Sequence, residues 1–137
     1  MKSYVKIYGP PLYKALKELE KIAINMPEVC MLSAPLALHL KTEFAKDISK
    51  YSGYEKGSRN LDPLLPEFAW RYFNSSGLIV TRERCANVIS DSGIDLEKYD
   101  FYFEWYTKPS PEQIQELIKK IDLALKPLGC MYTITTI

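Results

Sequence analysis

In the first 33 residues the spacing of the apolar side chains changes from alternate positions to a helical repeat and then to a short continuous run. Residues 3–9 alternate between two faces, which predicts a strand. Residues 11–26 place apolar side chains on one stripe and lysines and glutamates on the other side, which predicts an amphipathic helix. The short apolar run at residues 28–33 predicts a buried strand. This part of the chain is therefore expected to fold as strand–helix–strand.

The end of the chain repeats this order. Aromatic residues alternate over residues 100–107, which favours a strand. Ser110 and Gln113 have the spacing of a capping box, so a helix should begin there and end near Gly129. The last residues, 130–137, predict a final strand.

The middle of the chain has a different character. Residues 35–51 show helical spacing, and residues 52–62 are rich in glycine and serine and predict a loop. A third, short helix should begin at Pro63, and a short strand should cover residues 78–81. The pattern of residues 82–99 is ambiguous and fits one or two short helices.

Together the two ends have the βαββαβ order, which resembles the ferredoxin-like fold. We therefore expect one α+β domain over residues 1–137, with an antiparallel sheet and a core formed by residues 1–33 and 100–137. Residues 34–99 would be a large, mostly helical insertion between the second and third strands. Many unrelated functions use this fold, so the resemblance implies no function.

One face of this sheet is a candidate binding surface. The first and third strands would be neighbours, with their more apolar faces under the two long helices. Their other faces would carry Tyr4, Lys6, Tyr8, Tyr102, Glu104 and Tyr106. Lys6 and Glu104 are the middle residues of their strands, so we expect them to pair across the sheet. Either the insertion covers this face, or the face is a binding platform or a dimer contact.

Composition and charge narrow the classes of protein. The chain has 137 residues, of which 47% are hydrophobic and 26% charged, which is typical of a globular domain. A net charge of +1 supplies no general attraction to a polyanion. Three cysteines, without C-x-x-C spacing, argue against a disulfide framework. With no signal peptide or membrane-spanning run, we expect a cytoplasmic protein that does not enter a membrane.

Few residues suggest chemistry. His39, the only histidine, precedes Glu43 by one helical turn, so the carboxylate could orient the imidazole as a general base. Cys85 lies in a locally basic stretch and is a candidate nucleophile, although buried cysteines are commonly structural. The potential zinc ligands are isolated from one another, and no nucleotide-binding motif is present. We therefore expect no metal and no cofactor.

Three functional hypotheses remain. The first is a non-catalytic module, a homodimer, that binds a small molecule or a protein through Lys6, Tyr8, Tyr102, Glu104 and Tyr106, with Arg59, Arg71 and Arg84 as further binding residues. The second is a small enzyme with a pocket between the sheet and the insertion that uses His39, Glu43 and Arg71 or Arg84. The third is a protein that binds single-stranded nucleic acid with cations and aromatic rings, which the interspersed acids disfavour.

Overall fold

A four-stranded antiparallel sheet organises the chain. The structure, a computed structural model, describes residues 1–39, 65–90, 96 and 98–137. The strands are β1 (Lys2–Tyr8), β2 (Val29–Ser33), β3 (Phe101–Trp105) and β4 (Met131–Thr136). They lie in the order β2-β3-β1-β4, and each strand is antiparallel to its neighbour. The antiparallel sheet expected from the sequence is thus present, and its central strands are β1 and β3.

Helices connect the strands and form most of the described residues between β2 and β3. The described helices are α1 (Leu12–Ile24), α2 (residues 34–39), α3 (Leu65–Ser75), α4 (Arg82–Val88) and α5 (Pro111–Leu125). A 3₁₀ turn, Lys126–Leu128, follows α5 and ends at Gly129, whose φ of 71° is left-handed. The mixed α/β architecture agrees with the sequence pattern.

The main core lies between the sheet and α1 and α5. These two helices pack against each other, and α1 also packs on β1, β2 and β3. Val5 and Phe103 are completely buried on this side of the sheet, and Leu117 and Ile121 of α5 belong to the same cluster. The predicted capping box is confirmed, because the Ser110 hydroxyl accepts a hydrogen bond from the main-chain N–H three residues later.

Described parts of the insertion pack beside α1. Helices α3 and α4 pack on each other, and α4 also lies against α1 and β2. Beyond α4, Ile89 forms an isolated parallel bridge with Met31 of β2, and the N–H of Ser90 donates to the Met31 carbonyl. The edge of β2 that faces away from β3 is therefore covered by residues of the same chain. The predicted strand at residues 78–81 is wrong, because these residues lead irregularly from α3 to the Thr81 cap of α4.

The predicted pairing of Lys6 with Glu104 is also wrong. The register places Glu104 opposite Lys2, whereas the Lys6 ammonium lies 3.4 Å from Oδ2 of Asp100. Lys6 and Glu104 do share one face of the sheet, as expected. Alternation determines the face of each side chain, but a slip by an even number of residues leaves every face unchanged. The pattern of residues could therefore predict the face and not the register.

Candidate functional site

Part of the tyrosine-bearing face is covered by the chain that leads into β3. We call this face, with Tyr4, Lys6, Tyr8, Tyr102 and Glu104, the tyrosine face. The ring of Tyr99 stacks on Tyr4 with 4.7 Å between ring centroids, and Tyr102 is completely buried. Tyr102 also lies under the ammonium of Lys2, 4.9 Å from the ring centroid. This half of the face packs within the protein, which agrees in part with coverage by the insertion.

Glu104 lies in the covered half and has neighbours on two other segments. Its Oε2 accepts a hydrogen bond from the Ser90 hydroxyl and lies 3.5 Å from the Cys30 sulfur. Burial, reinforced by the Glu104 charge, raises the pKa of the Cys30 thiol to about 11. A thiol with so high a pKa is protonated near neutral pH, so this group contributes packing and a hydrogen bond rather than a nucleophile.

The half of the face near β4 is open. Tyr8 at the end of β1 is exposed, and it lies opposite Met131, which is 75% exposed. Thr133 and Thr135 are exposed on the same side of β4 and face Lys6 and Tyr4 across the strand pair. We call Lys6, Tyr8, Met131, Thr133 and Thr135 the open surface. It combines apolar, hydroxyl and cationic groups, which suits contact with another protein.

Lys6 is held at the margin of this surface by Asp100. Oδ2 of Asp100 accepts a hydrogen bond from the Ile7 N–H at 2.9 Å and faces the Lys6 ammonium. Asp100 therefore joins β1 to the start of β3 and also orients Lys6. Tyr106, another predicted binding residue, is half-exposed and donates its hydroxyl hydrogen to the Asn87 carbonyl.

A second group of polar side chains surrounds a buried carboxylate where α1, α3 and the end of β2 meet. The carboxylate of Glu20, with no exposed area, accepts hydrogen bonds from the Ser33 hydroxyl at 2.6 Å and the Tyr72 hydroxyl at 2.8 Å. The Lys17 ammonium lies 3.2 Å from Glu20, 2.7 Å from the Tyr72 oxygen and 2.8 Å from the Ser76 hydroxyl. We call Lys17, Glu20, Ser33, Tyr72 and Ser76 the anchor cluster.

The anchor cluster joins three remote segments rather than lining an open site. Burial and the Glu20 charge raise the pKa of the Tyr72 phenol, so it stays protonated and continues to donate. With donors on several sides, the buried carboxylate is compensated and attaches α3 to α1 and to the end of β2. The sequence contained a signal for this cluster that the prediction missed. Glu20 follows Leu16 by four residues and precedes Ala23 by three, so a charged residue lies on the buried stripe of α1.

The guanidinium of Arg84 binds the main chain between α1 and β2. It donates to four main-chain carbonyls at the end of α1 and the start of β2, those of Ala23 (3.0 Å), Ile24 (3.3 Å), Met26 (2.7 Å) and Val29 (2.6 Å). Ala23 and Ile24 belong to the last turn of α1, where a cation interacts favourably with the helix dipole. The described role of Arg84 is therefore to hold α4 against α1.

The remaining candidates do not converge on one site in the described residues. Arg71 is exposed and lies 3.8 Å from Glu67 on the same helix. The His39 ring lies 5.3 Å from the Tyr72 ring, beside the anchor cluster. The predictions for Glu43 and Arg59 lie outside the described residues.

Cys85 is buried in α4. Burial raises the pKa of its thiol, and this effect exceeds the opposing effect of the nearby Arg82 charge. The thiol form is therefore favoured at neutral pH, as in a structural cysteine.

Comparisons of the chain with protein-family models, curated proteins and solved structures find no match. Among the described residues, no group of three or more His, Cys, Asp or Glu side chains is placed to hold a metal ion. The helices in that part of the chain are also too short or too polar to cross a bilayer.

Proposed function

We propose that this protein is a non-catalytic, homo-oligomeric module that binds a protein partner through its open surface. We also propose that the strand order β2-β3-β1-β4, with one helix between β1 and β2 and another between β3 and β4, represents a ferredoxin-like sheet with an insertion. The fold carries no function by itself, so the surface carries the functional proposal.

The supporting observation is the exposure of the open surface beside an edge strand. Met131 and Ile137 are 75% and 70% exposed at opposite ends of β4, and Tyr8 lies beside Met131. Tyr8 and Met131 are neighbours at the edge of the sheet, and exposed apolar groups that lie together rather than singly are typical of protein–protein contacts.

The state of the candidate catalytic groups favours binding over catalysis. Arg84 donates to four main-chain carbonyls, and Glu20 accepts hydrogen bonds from three side chains of the anchor cluster. The buried thiols of Cys30 and Cys85 both have raised pKa values. A shallow, open cleft lined by Lys21, Asn25 and Leu78 lies at the end of α1. Small-molecule sites usually enclose most of their ligand, so this open cleft does not resemble one.

Light scattering coupled to gel filtration tests the proposal. Loaded at concentrations from about 1 to 500 µM, a range that brackets ordinary micromolar association, the protein should elute above the monomer mass of 15.8 kDa. Met131→Glu should shift the population towards monomer, because it places a charge within an apolar contact. Ile79→Glu is the matched control, since Ile79 is 97% exposed but lies outside the open surface. A monomer at every concentration, or equal effects of the two variants, contradicts the proposal.

A further inference from the structure

The hydrogen-bonding groups of β4 point alternately towards β1 and away from it. Lys2 and Ile137 exchange both main-chain hydrogen bonds, each 2.9 Å long. In an antiparallel pair such residues alternate with residues whose groups point outward. In the observed register, Met131, Thr133 and Thr135 therefore bond to β1. The N–H and C=O groups of the alternate residues point away from β1, and these residues are Tyr132, Ile134 and Thr136.

The two edges of the sheet differ in how they are protected. The edge of β2 is occupied by Ile89 and Ser90. In the part of the chain that the structure describes, β4 has a strand neighbour, β1, on one side only. Natural edge strands are commonly blocked by lysine, proline or a bulge, and β4, with the sequence MYTITT, contains no charged residue or proline. Its edge is thus suited to pairing with another strand.

We propose that two copies of this protein pair through antiparallel β4 strands, with the two-fold axis at Ile134, to form one continuous eight-stranded sheet. This inference rests on the proposed homo-oligomeric function and specifies its contact. The two-fold axis makes the interface isologous. Each residue on one side of Ile134 therefore meets the residue of the second copy that lies equally far on the other side of Ile134.

This register satisfies every outward group of the strand. Ile134 meets Ile134 of the second copy, and Tyr132 meets Thr136. Each copy supplies three N–H donors and three carbonyl acceptors at these positions, so six hydrogen bonds form across the axis. An axis at Thr133 would leave Thr136 without its pair, and an axis at Thr135 would leave Tyr132 without one. The axis at Ile134 is therefore the register with the most complete pairing.

The side chains are compatible in the same register. Met131 of one copy lies opposite Ile137 of the other, so the two most exposed apolar residues of this segment cover each other. Thr133 lies opposite Thr135 on the same face, a pair that suits neighbouring strands. No like charges meet within residues 131–137, because the segment carries no charged side chain. The strand is thus complementary to itself.

Engineered disulfides test the register. In a Cys130→Ser background, which removes the neighbouring half-buried thiol, Ile134→Cys should form a disulfide-linked dimer under mild oxidation. The two Cα atoms would be about 5.5 Å apart, within the range of natural disulfides. Thr133→Cys alone should remain unlinked, because its Cα would lie more than about 7 Å from its own counterpart. Thr133→Cys combined with Thr135→Cys should link again. Both threonines are exposed, so this pair tests the register even if Ile134→Cys disturbs the core.

Paired charges supply a test without oxidation. Thr133→Lys/Thr135→Lys sets lysine opposite lysine twice, and should raise the dimer dissociation constant by at least about tenfold. Thr133→Glu/Thr135→Glu should act in the same way, and an equimolar mixture of the two variants should form heterodimers. Ile79→Lys is the control and should leave the dimer unchanged.

The outcomes separate the two proposals. A wild-type monomer at about 500 µM, far above an ordinary micromolar dissociation constant, contradicts both the homo-oligomer and the β4 contact. A wild-type dimer that Thr133→Lys/Thr135→Lys does not weaken, or a dimer linked equally well by Thr133→Cys and Ile134→Cys, contradicts the β4 register and leaves the homo-oligomeric function standing.

Discussion

Two lysine–glutamate pairs on α1 have the same chemistry and differ in burial. Lys17–Glu20 and Glu18–Lys21 are both three residues apart, and their N–O distances are 3.2 and 3.3 Å. The Glu20 side chain has 0% exposed area, whereas that of Glu18 has 36%. Substitution of each glutamate by alanine therefore tests how far burial, rather than the ion pair itself, determines the free energy of unfolding.

Removal of the Glu20 carboxylate should cost much more than removal of the Glu18 carboxylate. Glu20→Ala leaves the Lys17 ammonium and the hydroxyls of Ser33 and Tyr72 without their acceptor. Breaking a buried pair in this way costs about 3–5 kcal/mol. That is a large share of the roughly 5–15 kcal/mol that stabilises a typical domain. Glu18→Ala should cost less than about 0.5 kcal/mol, because water and salt weaken an exposed pair.

Urea unfolding at neutral pH measures the difference. For a slope near 2 kcal/mol per molar urea, Glu20→Ala should lower the urea midpoint by about 2 M and Glu18→Ala by less than about 0.25 M. Glu20→Gln keeps the volume and loses the charge, so it should lie between them and separate electrostatics from packing. A loss below about 1 kcal/mol for Glu20→Ala, or equal losses for the two alanine variants, would refute the assignment of the anchor cluster as the attachment of α3.

Three further predictions concern α1, the covered face and α5. Arg84→Met should lower the free energy of unfolding by about 3 kcal/mol in chemical denaturation, because four carbonyls lose a charged donor; a loss below about 1 kcal/mol would show that water replaces the guanidinium. The pKa of Cys30 is raised to about 11 from an ordinary 9.0, so its contribution to stability is present below pH 9 and is lost as the pH rises towards 11. Between pH 9 and pH 11 the free energy of unfolding of the wild type, measured by urea titration, should fall by about 2 kcal/mol more than that of Cys30→Ala. Parallel pH profiles of the two proteins would contradict the raised pKa. Ser110→Ala should lower the free energy of unfolding by about 1 kcal/mol because α5 loses its cap, whereas Ser110→Asp should retain most of this stabilisation. Equal thermal midpoints for the wild type and both variants would argue against a stabilising cap.

The sequence by itself determined the elements at the two ends of the chain and which side of each is buried. The alternation of β1 and β3, the apolar stripe of α1, and the Ser110–Gln113 cap predicted these elements and the start of α5 within two residues of their observed bounds. The end of α5 was predicted near Gly129, whereas the α-helix ends at Leu125 and a 3₁₀ turn leads to Gly129. These features are local, because the period of the side chains follows directly from strand or helix geometry. They also predicted correctly that Lys6 and Glu104 lie on one face.

Only the tertiary structure decided the contacts between remote segments. Glu20 finds its partners 13 residues away at Ser33 and 52 residues away at Tyr72, and no local pattern encodes those distances. The strand register placed Lys2, rather than Lys6, opposite Glu104. The sequence could not predict this pairing, because a slip of two or four residues leaves the alternation of side chains unchanged. The same limit applies to the edge. The neutral composition of β4 is visible in the chain, but its position beside β1, with its other edge unpaired among the described residues, depends on the order in which all four strands assemble.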